Sequence, residues 1–419
     1  MLGFVTGRRP VSHVERKSVD AFRGCYHRVM ATSATSFPDR LPVAPVRATA
    51  LGAPPAIYAV LFASISVILG VIWDISWHRS IGRDTFWTPA HLAIYLGGIV
   101  AGLTSGWVAL QTTFAGSAAD RGTAVRFWGF RAPFGAWVCI WGAFAMLTSA
   151  PFDDWWHNAY GLDVKIISPP HMLLAAGIAA IQCGAMLMAL AWQNRAVGDR
   201  RHLARLYLLG AGLLLLLVAT VATEHTQRWD MHQSHFYQVS MSVFLFFLIS
   251  SARASVARWP ATAVALVYSG VTMFMLVVLP LFPAQPLLGP IYVQVDSFMP
   301  TDFPLLLIVP AFALDLLTLG TRRRVNDWVF ALLASAVFLV TFLAVQWPFA
   351  DFLMTPWARN WFFISDRMPY GLDPSMQAQW YRLNPPDRLA VGLPLALAIG
   401  YASARCGLWW GNWMSRVRR

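Results

Sequence analysis

Apolar stretches of about twenty residues alternate along the chain with short polar segments that are rich in arginine. An α-helix of about 20 apolar residues is long enough to cross the hydrocarbon core of a bilayer. The alternating ten-residue pattern of a membrane β-barrel is absent from the sequence. The pattern therefore predicts an all-α polytopic membrane protein, a helical bundle of about ten transmembrane helices near residues 54–77, 91–112, 132–153, 171–192, 206–224, 236–256, 261–283, 303–320, 327–347 and 389–411.

Arginine clusters assign an orientation to this bundle. If the N-terminus is cytoplasmic, segments 121–131, 195–205, 253–258 and 322–324 and the basic C-terminal tail all face the cytoplasm. Cytoplasmic loops of membrane proteins carry this excess of Arg and Lys. We therefore expect cytoplasmic N- and C-termini, a multi-pass protein of a bacterial-type inner (cytoplasmic) membrane, and a basic cytoplasmic tail over residues 1–52.

The composition agrees with a membrane protein. Hydrophobic residues make up 57% of the chain and charged residues 12%, whereas soluble domains carry about 25% charged residues. The net charge of +12 comes with arginines beside apolar spans. We expect these arginines to contact the lipid bilayer, not nucleic acid. The four cysteines lie far apart and form no CxxC pair, so cysteine chemistry explains nothing here.

Histidines are concentrated at one end of the predicted bundle. Three of the ten fall in cytoplasmic segments, and the other seven fall at the outer ends of spans. Histidines scattered over a surface would occupy both ends. The distribution therefore places the chemistry of this chain toward the outer face of the membrane.

Two histidine-containing stretches repeat one another. The first is DISWHRSIGRDTFWTPAH over residues 74–91, and the second is DDWWHNAYGLDVKIISPPH over residues 153–171. In both, an Asp precedes a His by four residues. A Gly, an Asp, a hydroxyl residue, a Pro and a second His follow in the same order, with one additional residue in the second linker.

The spacing predicts that each stretch is a hairpin with a metal site. Residues four apart, such as Asp74 and His78, share one face of a helix. Thr88, and Ser168 in the second copy, are predicted N-caps, which makes the following Pro the first helical residue and the second His the third. Each returning helix then brings its histidine back to an Asp–His pair. The predicted ligands are Asp74, His78 and His91 in the first site and Asp153, His157 and His171 in the second.

A structural role for these residues is the alternative to metal binding. An Asp–His pair in a bundle can simply form an internal ion pair, and Arg79 or Arg83 can partner Asp74. A charge near the bilayer centre costs about 2.5–3.5 kcal/mol, however, and such residues are functional candidates by default. The duplication strengthens the metal-binding hypothesis. Two His and one carboxylate suit Fe(II), Cu(II) or Zn(II), so ligand type alone leaves the ion open.

The first stretch also resembles a segment of a known family. Its residues Asp74, Ser76-Trp77-His78, Arg83-Asp84-Thr85, Thr88-Pro89 and His91 are similar to the copper-site segment in the C subunit of the particulate methane and ammonia monooxygenases. In that family an Asp, a His four residues on and a His thirteen further on hold copper. The resemblance implies copper-ligand roles for Asp74, His78 and His91. The second stretch matches the spacing of the family's second site, with Asp153 in place of an Asn, and the likeness covers residues 74–171.

Further polar residues are candidates for orienting the ligands or for admitting the metal. A plain polar outer loop is the favoured interpretation of the cluster around residues 224–235, and the alternative is that His232 and His235, three residues apart, share a face. Asp315, inside a predicted span, is expected to be a helix-packing partner or a proton relay. The candidates for supporting roles are Asp84, Asp154, Asp163, Glu224, His225, His232 and His235.

The leading functional hypothesis is a copper-dependent membrane monooxygenase, or the metal-bearing subunit of one. It would oxidise a small apolar or amine substrate with dioxygen, together with partner membrane subunits or as a homo-oligomer. Iron and zinc are alternatives for the ion. The alternative function is non-catalytic: copper transport, storage or insertion into a membrane oxidase or oxygenase.

Two other classes are less favoured. A bis-histidine haem protein is disfavoured by the carboxylates four residues before the histidines, and a histidine-box di-iron hydroxylase by the absence of HxxHH. We expect residues 53–192 to form the metal-binding four-helix portion with the duplicated hairpin, and residues 193–419 an additional six-helix membrane portion.

Overall fold

The computed structural model describes residues 46–47, 53–160, 168–321, 325–363 and 370–418. These residues form an all-α polytopic protein with two minimal pairs of strands. The helices are α1 (Pro55–Ser80), α2 (Pro89–Leu110), α3 (Ala118–Thr123), α4 (Phe134–Tyr160), α5 (Pro169–Arg195), α6 (Arg201–Ala222), α7 (Ser234–Ala254), α8 (Pro260–Val278), α9 (Ile308–Thr321), α10 (Asp327–Leu353), α11 (Pro374–Trp380) and α12 (Leu389–Met414). The strands are β1 (Val46–Arg47), β2 (Val125–Phe127), β3 (Phe130–Ala132) and β4 (Ala196–Val197), in which β2 pairs antiparallel with β3 and β1 parallel with β4.

Nine helices of the described ranges are long and apolar enough to cross a membrane: α1, α2, α4, α5, α6, α7, α8, α10 and α12. The prediction of a multi-pass helical membrane protein is therefore confirmed. The predicted span near 303–320 is different, because it contains only the 14-residue helix α9. A helix of that length rises about 21 Å, which is short of the roughly 30 Å hydrocarbon core.

Prolines explain why α9 is short. Pro304 disfavours helical geometry at the residue before it, and Pro310 falls in the first turn of α9, where a missing N–H costs nothing. The non-helical backbone before α9 is satisfied by neighbouring helices. The Tyr268 hydroxyl accepts a hydrogen bond from the Leu305 N–H at 3.0 Å, and the Gln346 side chain accepts one from the Leu306 N–H at 3.0 Å. Irregular backbone is tolerated within a membrane protein only with such internal partners.

Asp315 of α9 holds the beginning of α8. Its carboxylate is 1% exposed and accepts hydrogen bonds from the backbone N–H groups of Ala261 and Thr262 and from the Thr262 hydroxyl. A carboxylate at a helix N-terminus stabilises the unpaired N–H groups there. Of the two roles expected for Asp315, the contacts support helix packing.

Two glycines at equivalent positions allow the helices of each hairpin to pack closely. Gly97 and Gly177 each lie six residues after the second histidine of their repeat. A Cβ atom on Gly97 would stand 2.6 Å from the carbonyl oxygen of Ala63, and one on Gly177 would stand 2.8 Å from that of Gly142. Small residues let membrane helices approach to backbone contact. The α1–α2 and α4–α5 pairs are therefore packed closely enough to bring the two ends of each repeat together.

The described residues from 46 to 418 form one compact unit. The hairpins meet through α2 and α4 and through α1 and α5, where the buried Gln182 amide donates to the Ser64 carbonyl at 3.0 Å. The four-helix portion continues into the rest of the bundle through α5 and α6, and α12 packs on α7 and α10. Large side chains such as Tyr207, Phe236 and Phe342 fill the core.

Candidate metal site

Asp74 and His78 lie one turn apart near the end of α1, as their spacing predicted. Nε2 of His78 is 3.8 Å from Oδ2 of Asp74. The His78 side chain is 48% exposed, while that of Asp74 is 24% exposed. The pair therefore lies at the boundary between the packed bundle and its surroundings, which an ion can reach.

The linker that follows α1 is held in a defined turn. Gly82 has a φ of +85°, and a Cβ atom there would overlap the Tyr370 hydroxyl, so both the backbone conformation and the packing require glycine. The indole N–H of Trp77 donates to the Arg83 carbonyl at 2.8 Å. The tryptophan of the repeat thus fixes the path of the chain toward Asp84.

His91 returns to the Asp–His pair as the third residue of α2, which begins at Pro89 as predicted. Its Nε2 lies 3.1 Å from Oδ1 of Asp74 and 3.3 Å from Oδ2 of Asp84. Its Nδ1 lies 2.9 Å from the carbonyl oxygen of Thr85. A carbonyl only accepts, so Nδ1 carries the proton and donates it there.

That hydrogen bond decides what Nε2 can do. In neutral His91, the lone pair of Nε2 faces the oxygens of two carboxylates, and these negative groups repel one another. A cation removes this repulsion, either as a second proton on the ring or as a metal ion shared by the three side chains. A histidine whose far nitrogen is anchored to a carbonyl is the usual geometry of a metal ligand.

Asp84 joins the site although the sequence suggested only a supporting role for it. Its Oδ2 lies 3.6 Å from Nε2 of His78 as well as 3.3 Å from that of His91. The ligand atoms of Asp74, His78 and Asp84 all lie within 4.8 Å of one another. The signal in the sequence was its position in the linker of a hairpin that must fold back on α1.

These separations fit a metal ion. Ligands at about 2.0–2.1 Å from a tetrahedral ion stand about 3.3–3.4 Å from each other. The four nitrogen–oxygen distances here run from 3.1 to 3.8 Å, and Asp74 faces His91 through Oδ1 but His78 through Oδ2. Oδ1 of Asp74 is buried, and Nε2 of His91 lies 3.1 Å from it. Two histidines and two carboxylates are a donor set that could hold a metal ion.

Exposed aromatic rings lie beside this group. Phe86 and Trp87 stand between Asp84 and His91 in sequence and are 51% and 71% exposed. The Phe86 ring lies 5.0 Å from that of Tyr95, which in turn lies 6.1 Å from the His91 ring. An aromatic surface thus flanks the side chains that could hold the ion.

The C-terminal portion of the chain braces the first hairpin, which the sequence did not indicate. The Met299 backbone donates to the Ser80 hydroxyl at 2.7 Å and accepts from the Ser76 hydroxyl. The Leu287 N–H donates to the Ile81 carbonyl at 2.9 Å. Segment 287–299 is thus bonded to the end of α1, beside the candidate ligands.

The second hairpin repeats part of this arrangement. Asp153 lies near the end of α4, and His171 is the third residue of α5, which begins at Pro169 as predicted. Oδ1 of Asp153 is 3.6 Å from Nε2 of His171. The side chain of His157 and all of Asp163 lie outside the described residues. Exposed Asp154 accepts a hydrogen bond from Asn158 at 3.4 Å.

Tyr95 of α2 lies between the two hairpins. The charges of Asp74, Asp84 and Asp153 all act on its hydroxyl group. The two candidate sites are therefore neighbours across the α2–α4 contact and not isolated features of separate hairpins.

The third group of polar residues divides into two. His225, next to the exposed Glu224, has its ring 5.8 Å from that of His235. His232 is 8% exposed and stacks on Trp347, with Nε2 3.3 Å from Oδ1 of Asp351. His232 and His235 do not share a helix face, because α7 begins only at Ser234 and leaves His232 in the preceding turn.

Comparison of the chain with family models, curated proteins and solved structures gave no match. The functional inference therefore depends on the chemistry of the four converging side chains and on the sequence resemblance of the first repeat.

Proposed function

We propose that this protein is a membrane metalloprotein that binds one transition metal ion between Asp74, His78, Asp84 and His91. The observation that carries the proposal is the position of His91. Its Nδ1 is anchored on the Thr85 carbonyl, and its Nε2 faces two carboxylates at 3.1 and 3.3 Å. Copper is the ion we propose, with iron and zinc as alternatives, because two His with carboxylates suit all three and the repeat resembles a copper segment.

We further propose that the bound ion serves to oxidise a small apolar or amine substrate with dioxygen. A bound copper or iron ion supplies one-electron chemistry toward dioxygen. The residues of this chain would hold the ion and orient His91, and the exposed rings of Phe86 and Trp87 would receive an apolar molecule from the bilayer. The sequence resemblance to the C subunit of the particulate methane and ammonia monooxygenases supports this reaction class.

One observation favours the non-catalytic alternative of copper transport, storage or insertion. Catalytic sites keep a coordination position open, whereas structural sites use four protein ligands. Asp84 lies close enough to both histidines to act as a fourth ligand. A site closed by Asp84 would hold an ion for delivery, and a site from which Asp84 withdraws would leave a position for dioxygen.

Metal analysis of the purified full-length protein tests the proposal. Samples loaded separately with Cu(II), Fe(II) and Zn(II) and then dialysed should retain the ion, and His78→Ala should lower the retained amount. His202→Ala is the matched control, since His202 bonds to Tyr58 at 2.6 Å, away from this site. Electron paramagnetic resonance of the copper sample should report nitrogen ligands.

Oxygen uptake separates the two functions. Loaded wild type that consumes dioxygen and oxidises a short alkene or ammonia supports catalysis, whereas retained metal without product supports transport or storage. Wild-type protein that retains none of the three ions would refute both.

A further inference from the structure

His225 and His235 form a pair that the proposed metal site does not use. His225 ends the short 3₁₀ turn Thr223–His225, which follows α6 directly, and His235 is the second residue of α7. The two residues are ten positions apart in sequence, yet their ring centroids lie 5.8 Å apart. The chain thus leaves one helix, turns, and returns the second imidazole to the first.

Hydrogen bonds fix the backbone beside both members of this pair. Directly after His225, the Thr226 N–H and hydroxyl donate to carbonyls of the preceding turn at 3.2 and 3.0 Å. Directly before His235, the Ser234 N–H donates to Oδ1 of Asp387 at 3.1 Å, and its hydroxyl donates to Oδ2. The two imidazoles are therefore presented by an ordered frame, which reduces the entropy lost when both bind one ligand.

The separation of the rings allows them to share a metal ion. Metal–nitrogen bonds of about 2.0–2.1 Å put a ring centroid about 3.2 Å from the ion, so the centroids of two imidazoles on one ion lie at most about 6.4 Å apart. The observed 5.8 Å is inside this limit. The ring planes cross at 86°, which coordination permits because each ring can rotate about its own metal–nitrogen bond.

The surroundings of the pair restrict the kind of ion. Both rings are exposed, and so is the neighbouring Glu224. An ion can therefore reach the rings from water and keep water as its remaining ligands. Imidazole nitrogen suits Cu(II), Ni(II) and Zn(II), whereas Ca(II) and Mg(II) prefer oxygen ligands. The carboxylate of Glu224 adds a negative charge close to the cation.

We propose that His225 and His235 bind one divalent transition metal ion, Cu(II), Ni(II) or Zn(II), at a second and more open site. Two protein ligands leave the other coordination positions to water, so the ion exchanges readily. The pair belongs to the turn after α6 and to α7, whereas the side chains of the first site belong to α1, α2 and the linker between them. It therefore binds an ion whether or not the first site does.

Pulsed electron paramagnetic resonance of the purified full-length protein with Cu(II)–iminodiacetate tests this site. The chelate covers part of the copper ion and leaves room for two imidazoles, but not for a set of four protein ligands. Wild type should bind it through two imidazole nitrogens. His225→Ala and His235→Ala should each weaken binding by at least about tenfold, because loss of a ligand exceeds the cost of losing a group that orients one.

Two other histidines provide the controls. His91→Ala alters the first site, and His202→Ala removes a ring that bonds to Tyr58 at 2.6 Å. Both variants should keep the affinity for the chelate within about twofold of wild type, because distant sites act independently. A loss in His91→Ala that equals or exceeds the loss in His225→Ala would place the chelate in the first hairpin and overturn the proposal.

The single variants also show whether one ion is shared. A shared ion is lost in either variant, whereas histidines that bound separate ions would each leave the other's copper in place, which would refute the proposal. Wild type gives a check that involves no mutation. Absence of binding, or a spectrum with a single imidazole nitrogen, would contradict the pair. Excess Zn(II) should displace the copper chelate, and displacement by Mg(II) would show an oxygen-ligand site instead.

Discussion

The two hairpins have the same design and differ in what their linkers do. In both, a helix begins at a proline with the histidine as its third residue, and a glycine six residues later contacts the partner helix backbone. In the first hairpin, each of two histidines lies 3.1–3.8 Å from carboxylate oxygens of both Asp74 and Asp84. In the described part of the second, Asp153 and His171 approach each other at 3.6 Å.

The first linker is held in its conformation by contacts that the sequence spacing of the ligands does not reveal. Trp77 bonds to the Arg83 carbonyl, Tyr370 packs on Gly82, and the Thr85 carbonyl anchors His91. The backbone of Met299 bonds to the helix end beside them. Equal spacing of Asp and His is therefore compatible with unequal sites, because affinity depends on the groups that orient the ligands.

The strongest test of this comparison replaces the second histidine of each repeat with alanine. His91→Ala should weaken Cu(II) or Zn(II) binding at the tighter site by more than about 100-fold, since loss of a ligand exceeds the 10–100-fold cost of losing a group that merely orients one. His171→Ala should leave the metal affinity of that tighter site within about twofold of the wild-type value, because His171 is outside the proposed ligand set. Chelator competition on the purified full-length protein measures both. A larger loss in His171→Ala would assign the tighter site to the second hairpin and contradict the comparison.

The next test removes a carboxylate from each hairpin. Asp84→Asn should lower metal affinity by about 10–100-fold, because the amide keeps the shape but loses the charge beside both histidines. Asp154→Asn is the matched change, in an exposed side chain that accepts a hydrogen bond from Asn158. The same chelator competition gives the affinities.

The outcome for Asp84→Asn also bears on function. If affinity falls and dioxygen uptake rises, Asp84 closes the site in the resting protein and catalysis needs its withdrawal. Unchanged affinity would show that Asp84 is not a ligand. The ligand set would then be the one predicted from the sequence, Asp74, His78 and His91.

Much of this architecture was readable from the sequence, for local reasons. The helices begin at Pro89 and Pro169 because proline suits the first turn. In the described ranges, nine of the ten predicted spans contain helices long and apolar enough to cross a membrane. The part that was missed depends on distant contacts. Asp84 meets the histidines through the fold of the linker, and α9 is short because Pro304 and distant Tyr268 set its beginning.

His232 shows the same limit. Its spacing from His235 is compatible with one helix face for both histidines, but the helix begins after His232 and the ring stacks on Trp347, which is remote in sequence. Periodicity cannot determine which side of a helix boundary a residue falls on.

The smallest expected effect is that of replacing the hydroxyl residue before each proline, Thr88 or Ser168. This residue makes different hydrogen bonds in the two hairpins. The Ser168 hydroxyl accepts from the His171 N–H at 3.4 Å and caps α5. The Thr88 hydroxyl makes no such cap and accepts from the Thr85 N–H at 2.8 Å, in the turn whose carbonyl anchors His91.

Alanine at each position should therefore change a different property. Ser168→Ala should cost about 0.5–2 kcal/mol of stability, as for other lost caps, seen as a lower thermal midpoint in detergent with unchanged affinity of the first site. Thr88→Ala should leave the midpoint almost unchanged and weaken metal binding by about tenfold at most, because it loosens the turn that orients His91. Thr88→Ser, which keeps the hydroxyl, should restore the affinity. If both alanine variants lower only the thermal midpoint, the two hydroxyls both stabilise the fold and neither affects metal binding. The linker of the first hairpin would then not be what distinguishes its site from the second.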